Sequence, residues 1–497
     1  MERGLRLMVA ALIAVGAVAR LAPLFDQSGR LLQQFPSEDA YLALTVARNL
    51  ALGHGLSVSD GTVPATGVQP LAALLWAACF WVVGGAKKTG VLLVLVAELL
   101  IGAGSALGLW QLAERALAGT RHAGLAALLA AAAWWASPSV IPHAMDALPT
   151  GLTAGLVILV ALAFIAPGTE RPWSLGRQLR FGVALGLAFL ARADTLLLGA
   201  CAALVHLTRP IEGRGRAPLR RAGEALVFSA VSLAVAAAAL QSGRLAPLEL
   251  RFANHLSQVP GVLVELATLF APLPPALQLN PLVVAGSWLC CGLGCAAAFA
   301  AWRRADATGR ALVLLAGLFA VSLAALYGLG FGAGQPMARS LLPVSPFLAI
   351  AWAWAVVGAR PVLRGGALAA ALALAVAANA HLYAAFAEPK WFEAVHWVDA
   401  NVPDEVWLGA RESPALGFFH DRTLSLDGAA RARVEDIVAK RLPYLVGGAA
   451  AGDLLREPPI AARYDVLVRD GAKDLVVLKL KPPEPPAPAS AQPDTPE

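Results

Sequence analysis

Charged residues are scarce in this chain. Asp, Glu, Lys and Arg make up only 14% of its 497 residues, whereas 58% are hydrophobic. An ordinary soluble domain has about 25% charged and about 45–50% apolar residues, so the composition excludes that class. The mean hydropathy is +0.65, and apolar runs long enough to cross about 30 Å of hydrocarbon recur along the chain. The sequence therefore predicts a polytopic α-helical membrane protein.

Cysteine is also scarce, with five residues in the whole chain. All five lie in apolar segments, and their spacing matches neither a metal site nor a disulfide framework. We therefore expect each to be a small buried side chain. They are Cys79, Cys201, Cys290, Cys291 and Cys295.

The apolar runs predict about eleven membrane-spanning helices. Because many runs follow the first, we expect that first segment to be an uncleaved helix rather than a signal peptide. Residues 70–85 are apolar too, but about 15 residues are short for a span, and we expect them to lie along the membrane surface. The predicted spans are residues 7–24, 89–112, 122–140, 149–168, 176–191, 194–208, 222–241, 280–302, 310–329, 340–358 and 365–386.

Arginine clusters set the predicted orientation. If residues 70–85 lie flat, the arginine-rich loops all fall on one side, which the positive-inside rule makes cytoplasmic. Lys87 and Lys88 alone favour the reverse. The net charge of +6 then reflects membrane topology, and we expect no nucleic-acid partner. The polar residues placed on the extracytoplasmic face include Glu38, Asp39, His54, Asp146, Arg192, Asp194, Arg244 and Arg339.

Composition changes near residue 388. We predict a transmembrane domain over residues 1–388 and a small soluble α/β domain over residues 389–481, on the extracytoplasmic side. Residues 482–497 are rich in Pro, Ala and Glu and are expected to be disordered. Within the soluble domain, apolar or alternating runs predict strands, and residues 429–442 predict a charged helix. The predicted strands are residues 406–410, 423–426, 465–469 and 474–480.

Two adjacent carboxylates, Glu38 and Asp39, begin an amphipathic stretch in the first extracytoplasmic loop. Ionised groups are costly beside a bilayer, so the pair needs an explanation. One explanation is helix capping, since the positive end of a helix dipole favours acids. The other is a general base that acts on a membrane-bound substrate.

Arginines gather on the face that disfavours positive charge. Arg192 and Arg339 stand at predicted helix ends, and Arg244 lies in the loop between them. A single interfacial arginine can reach lipid headgroups, but several together indicate an anionic partner. A lipid phosphate matches the planar guanidinium. Asp146 precedes another helix, where its simplest role is that of a helix cap.

Six segments resemble, in order, motifs of the GT-C-fold glycosyltransferases. The first begins with Glu38-Asp-Ala-Tyr41, where members of that family have two consecutive Asp residues. The segments cover nearly the whole chain, and those in the membrane part share the predicted extracytoplasmic side. They are residues 38–55, 66–71, 144–146, 186–194, 339–343 and 416–428.

The resemblance implies a GT-C transmembrane fold with juxtamembrane helices in the first extracytoplasmic loop. It also implies inverting transfer of a sugar from a polyprenyl-phosphate donor to a lipid, glycan or protein acceptor. The transfer would take place on the periplasmic side of the inner membrane, among membrane lipids. Relatives of this kind include protein O-mannosyltransferases, aminoarabinose transferases and arabinofuranosyltransferases.

The resemblance also implies roles for individual residues. Glu38 or Asp39 would be the general base, and which of the two acts stays open because the family's leading Asp is Glu here. No cofactor is implied, although two acids could hold a divalent cation. The implied substrate-binding residues are Asp146, Arg192, Asp194, Arg339, His54 and Arg244.

Two other functions are consistent with a polytopic membrane protein. A transporter or flippase of lipid-linked sugars would show paired repeats and charges near the bilayer midplane. No repeat is visible in the sequence, and the charges gather at one predicted surface. The third possibility is a non-catalytic scaffold whose soluble domain binds a partner.

Overall fold

The chain folds into two compact units. The first comprises Met1–Ser57 and Ala65–Ala387, and the second comprises Val58–Pro64 and Glu388–Glu497. The structure is a computed structural model. It describes residues 2–25, 35–65, 69–120, 122–166, 172–208, 217–240, 255–272, 280–329, 337–384, 389–411, 414–426, 437 and 439–482.

The first unit is built from α-helices. It also contains two 3₁₀ turns among its described residues, Ala193–Thr195 and Leu342–Val344. Its helices are α1 (Glu2–Phe25), α2 (Glu38–Ala51), α3 (Pro70–Val82), α4 (Lys87–Ala116), α5 (Ala123–Ala136), α6 (Ile141–Ala144), α7 (Thr150–Phe164), α8 (Leu175–Ala191), α9 (Leu196–Thr208), α10 (Ala217–Leu240), α11 (Val259–Thr268), α12 (Pro281–Arg304), α13 (Ala307–Leu329), α14 (Met337–Leu341), α15 (Ser345–Gly358) and α16 (Pro361–Ala384).

Six helical segments of the described chain are long and apolar enough to cross a membrane. A helix lies at each of the eleven predicted spans, but several of these helices are short. For example, α5 has 14 residues, which is about 21 Å of helix against about 30 Å of hydrocarbon. The number of spans therefore stays a prediction. The six segments lie in α1, α4, α12, α13, α14 with α15, and α16.

Helix α4 is longer than a bilayer requires. Its 30 residues extend about 45 Å, and the part from Glu98 to Arg115 alone covers about 26 Å. If Arg115 lies at one membrane surface, Lys87 and Lys88 stand well outside the other. As basic residues that flank a span, they still favour the reverse orientation, and the topology stays a prediction.

Helices α8 and α10 pack closely along glycines. A Cβ added at Gly182 would lie 2.7 Å from the carbonyl oxygen of Phe228, and one at Gly186 would lie 2.6 Å from Val235 Cβ. Both distances are shorter than a van der Waals contact, so the two backbones approach because these positions carry no side chain.

The second unit contains a five-stranded mixed sheet in the order β4-β3-β5-β7-β6. Strand β3 is parallel to β4 and β5, and β7 is antiparallel to β5 and β6. The unit's elements are the hairpin strands β1 (Ser57–Val58) and β2 (Val63–Pro64), then β3 (Leu408–Arg411), β4 (Thr423–Ser425), β5 (Tyr444–Gly447), β6 (Tyr464–Asp470), β7 (Leu475–Leu480), and the helices α17 (Phe392–Asn401), α18 (Pro414–Phe419) and α19 (Pro458–Ala461).

Residues 58–64 complete this unit from a distant part of the chain. Ser59 Oγ donates a hydrogen bond to the carbonyl oxygen of Thr423, and Val63 packs on the core formed by residues such as Leu445 and Leu478. Neither this hairpin contribution nor β5 was predicted from the sequence. The predicted helix 429–442 falls mostly outside the described residues, and the predicted disordered tail lies outside them except for residue 482.

The prediction that all five cysteines are buried is wrong. Cys201 is buried, Cys79 and Cys291 are half-buried, and Cys290 and Cys295 are exposed. Both exposed cysteines lie on α12, an apolar helix with little of its surface buried in the protein. An apolar side chain needs no protein partner where lipid can cover it.

Gly182→Ala should lower the unfolding temperature of the purified protein in detergent. The cost of overpacking, about 1–3 kcal/mol, exceeds the gain of about 1 kcal/mol in helix propensity. Gly176→Ala on the same helix is the control, because no described atom lies within 4 Å of its added Cβ. Equal unfolding temperatures for the two variants would contradict the close approach of α8 and α10.

Candidate active site

The two acids of the first loop lie in the first turn of α2. Ser37 is the N-cap residue, and its backbone N–H donates to the carbonyl oxygen of Asp146 at 3.2 Å. This bond holds the start of α2 against the turn between α6 and α7. The helix dipole favours acids here, so the position suits capping as well as catalysis.

Asp39 forms an ion pair with Arg339. Arg339 Nη2 donates to Asp39 Oδ2 at 2.8 Å, and the Arg339 side chain is 10% exposed whereas that of Asp39 is 59% exposed. Glu38 is half-buried. Asp39 therefore presents its carboxylate both to a buried cation and to solvent.

Asp146 lies in a tight turn behind this ion pair. Its Oδ1 accepts the backbone N–H of Leu148 at 3.1 Å, and Ala147 has a left-handed backbone with φ of 60°. Burial raises the pKa of Asp146 to about 7, and the charge of Asp39 acts in the same direction, while Arg339 partly offsets both. Asp146 thus belongs to the same electrostatic group as Asp39 and Arg339.

His143 stands one turn before Asp146. Burial lowers the pKa of its imidazole to about 4, and the charge of Arg339 adds to this effect. His143 is therefore neutral near pH 7, and its imidazole can donate one hydrogen bond and accept another without adding positive charge. This suits a structural or hydrogen-bonding role for His143.

The guanidinium of Arg192 donates hydrogen bonds to other groups of the protein. It follows the last residue of α8, and its Nη2 donates to Asp194 Oδ2 at 2.5 Å and to the Tyr327 hydroxyl at 2.9 Å. Burial opposes its charge, but Asp194 and Tyr327 outweigh burial and raise the pKa of Arg192. The Tyr327 hydroxyl in turn donates to Asp194 at 2.7 Å.

The same guanidinium caps the end of α14. Arg192 donates to the carbonyl oxygens of Arg339 at 3.1 Å and Ser340 at 3.2 Å. Carbonyls in the last turn of a helix lack intrahelical partners, so a buried helix end needs such donors. Arg192 therefore holds the backbone that carries the Arg339 side chain.

The structure does not bring every predicted residue to this group. His54 is exposed and follows the far end of α2, about 20 Å of helix away from Glu38. Arg244 lies outside the described residues. The predicted binding roles of His54 and Arg244 stay predictions.

Three residues near the site were not predicted from the sequence. Tyr327 joins Arg192 and Asp194, Glu98 Oε2 accepts the backbone N–H of Ala147 at 3.2 Å, and Arg20 is fully buried in α1. A sequence signal existed for Glu98, because it stands alone as an ionisable residue within a long apolar run.

No group of three or more His, Cys, Asp or Glu side chains that could hold a metal ion occurs in the part of the chain that the structure describes. Arg339, a cation of the protein itself, balances Asp39 instead. The divalent cation considered from the sequence stays an untested prediction.

No protein-family profile and no curated protein matches this sequence. Solved structures do match it. ArnT from Cupriavidus metallidurans, an aminoarabinose transferase bound to undecaprenyl phosphate in that crystal, is 15% identical with a TM-score of 0.60 over 95% of this chain and 97% of ArnT. The chain has the GT-C fold.

A second GT-C enzyme gives a weaker match. The oligosaccharyltransferase AglB from Archaeoglobus fulgidus, in complex with an inhibitory peptide and a dolichol-phosphate, is 13% identical with a TM-score of 0.52. That match covers 90% of this chain and 69% of AglB. The predicted fold class, a polytopic helical GT-C protein with a small C-terminal sheet domain, is confirmed. The apolar helices and these neighbours support an integral membrane protein.

Asp146→Asn should stabilise the protein more at pH 8 than at pH 5. Between the ordinary carboxyl pKa of 3.8 and about 7, the folded state binds more protons at Asp146 than the unfolded state. The free energy of unfolding therefore falls as pH rises through this window, by up to about 1.4 kcal/mol per pH unit. The Asn side chain of the variant does not titrate, so the variant does not show this loss.

Thermal unfolding in detergent at both pH values measures the effect. Glu114→Gln, which removes an exposed carboxylate on α4, controls for the change in charge. A stability difference between Asp146→Asn and the wild type that does not change with pH would argue against a raised pKa at Asp146.

Proposed function

We propose that this protein transfers a sugar from a polyprenyl-phosphate carrier to a hydroxyl acceptor at the extracytoplasmic surface of the plasma membrane, which is the inner membrane in a two-membrane cell. The observation that carries the proposal is the Arg339–Asp39 pair, in which a largely buried cation meets an exposed carboxylate at 2.8 Å. The GT-C fold and the carrier phosphates bound by ArnT and AglB support it.

In this proposal Arg339 is shared between Asp39 and the carrier phosphate. A phosphate oxygen accepts charge-assisted hydrogen bonds from a guanidinium at least as well as a carboxylate does. Donor binding would draw Arg339 toward the phosphate and weaken its hold on Asp39. The carboxylate of Asp39 is then left to accept a hydrogen bond from the acceptor hydroxyl.

The reaction is a single displacement. The acceptor hydroxyl gives its proton to Asp39, and its oxygen forms a bond with the anomeric carbon of the sugar. The bond from that carbon to the phosphate oxygen breaks, and its electron pair stays on the phosphate, where Arg339 balances the charge. Attack from the side opposite the leaving phosphate inverts the anomeric configuration.

Asp39 is the better candidate for the base than Glu38, because its carboxylate is the exposed one. Asp146, whose carboxyl titrates near pH 7, would orient the sugar or the acceptor by a hydrogen bond. Arg192 and Asp194 would act through Arg339 rather than on the phosphate, since Arg192 directs hydrogen bonds at four protein oxygens.

Mass spectrometry of envelope glycans, glycolipids and glycoproteins, in cells with and without this protein, identifies the sugar and the acceptor. A sugar missing from one pool is the expected result. No difference in any pool would contradict sugar transfer and would favour the transporter or the scaffold.

Asp39→Asn should lower sugar transfer by about 10²- to 10⁴-fold, which is the contribution of a general base. Glu38→Gln at the neighbouring position is the matched control and should retain much more activity. The measurement is transfer by the purified protein with carrier lipid extracted from the same envelope. Equal losses in the two variants would remove the assignment of the base to Asp39.

Arg339→Ala should weaken donor binding by about 10- to 100-fold, the loss expected for a hydrogen bond between charged groups. Arg339→Lys keeps the charge without the planar fork and should fall in between. The probe is undecaprenyl phosphate titrated against the purified protein. Arg180→Ala, an exposed arginine toward the other end of α8, is the control, and equal affinities for both Ala variants would refute the phosphate role.

A further inference from the structure

Arg20 places a charge inside the helix bundle. Its side chain is 0% exposed, its Nε donates to the carbonyl oxygen of Trp135 at 3.2 Å, and its guanidinium carbon lies 4.5 Å from the centre of the Trp135 ring. Both terminal nitrogens are buried without a hydrogen-bond partner among the described residues. A buried charge of this kind needs compensation nearby.

Glu98 is a buried carboxyl group of α4 that acts electrostatically on Arg20. A Cβ at Gly102 would lie 3.1 Å from Arg20 Nη1, so the end of Arg20 rests on Gly102. Glu98 precedes Gly102 by four residues and shares its face of α4. Glu98 Oε1 is also buried and has no hydrogen-bond partner in the described structure, and the charges of Arg20 and Glu98 attract each other. A bridging water would satisfy both groups.

The second oxygen of Glu98 holds the turn that carries Asp146. Oε2 accepts the Ala147 N–H at 3.2 Å, and the Ala147 carbonyl accepts from Trp76 Nε1 at 3.1 Å. A left-handed backbone costs alanine about 1–2 kcal/mol, so this turn persists because its neighbours hold it. The Asp146 carbonyl in turn accepts the N–H of Ser37, the cap of α2.

We propose that Glu98 is a positioning residue that fixes the Asp146–Ala147 turn against the start of α2. Glu98 does not touch the reacting atoms. It acts through the Ala147 peptide, and so sets where Asp146 and the first turn of α2 stand. The effect on catalysis rests on the proposed sugar transfer, whereas the effect on the turn does not.

The structural test is hydrogen exchange of the segment that contains residues 146–148, in the full-length protein in detergent. Glu98→Ala removes the acceptor and should speed exchange of the Ala147 amide. Glu98→Gln combined with Arg20→Met keeps an acceptor and leaves no unbalanced charge, so it should restore slow exchange. The control is Glu224→Gln, because Glu224 is a buried carboxylate that accepts a different backbone N–H, that of Trp173, at 3.0 Å. This variant should leave the exchange rate of residues 146–148 unchanged.

The functional test separates kcat from KM. Glu98→Ala should lower kcat by about 10- to 100-fold, the scale of a small misplacement of a site, with little change in KM for the carrier donor. The double variant should recover most of kcat.

Each result has a defined meaning. Unchanged exchange at Ala147 in Glu98→Ala overturns the proposal, and so does a double variant that exchanges as fast as Glu98→Ala. Faster exchange in Glu98→Ala, restored in the double variant, upholds the positioning of the turn even if the wild-type protein transfers no sugar. In that case the proposed function alone fails.

Discussion

The ion pair between Arg339 and Asp39 joins two segments that are 300 residues apart in the chain. Neither partner is held in place by its own helix alone. Ser37 fixes the start of α2 through the Asp146 carbonyl, and Arg192 fixes the end of α14 through two carbonyls. The turn at Asp146 and the break after α8 thus contact the backbone on either side of the pair.

Helix breaks are what make this arrangement possible. Within an apolar bundle, a broken helix frees backbone groups that must find partners in the protein. Arg192 donates hydrogen bonds to the carbonyls at the end of α14, and Glu98 accepts one from the backbone N–H of the residue after Asp146. Charged side chains that are costly in hydrocarbon thus satisfy backbone groups, and the polar side chains of the candidate site gather where helices stop.

The sequence predicted the fold class and the residues at these breaks because each break leaves a local mark, such as the acids at 38 and 39 or the arginine at 192. It did not predict that Glu98 and Arg20 lie near the site. Each is a single charged residue within an apolar run, and mean hydropathy identifies such a run only as a membrane span. The position of His54 also escaped it. His54 is near Asp39 in sequence, but an intervening helix of 14 residues separates the two along its axis. Pairings between distant segments leave no periodic signal, so the contacts of Tyr327 were not predictable either.

The hairpin of residues 58–64 has a consequence for how the second unit is made. Val63 belongs to the apolar core of that unit, and Ser59 hydrogen-bonds to Thr423. Ser59 precedes its partner Thr423 by 364 residues, so the apolar side chain of Val63 has no core to pack against until the last part of the chain has been synthesised. A fragment that begins at residue 388 would lack a piece of its own core. The unit is C-terminal by position, but part of its core comes from near the start of the chain.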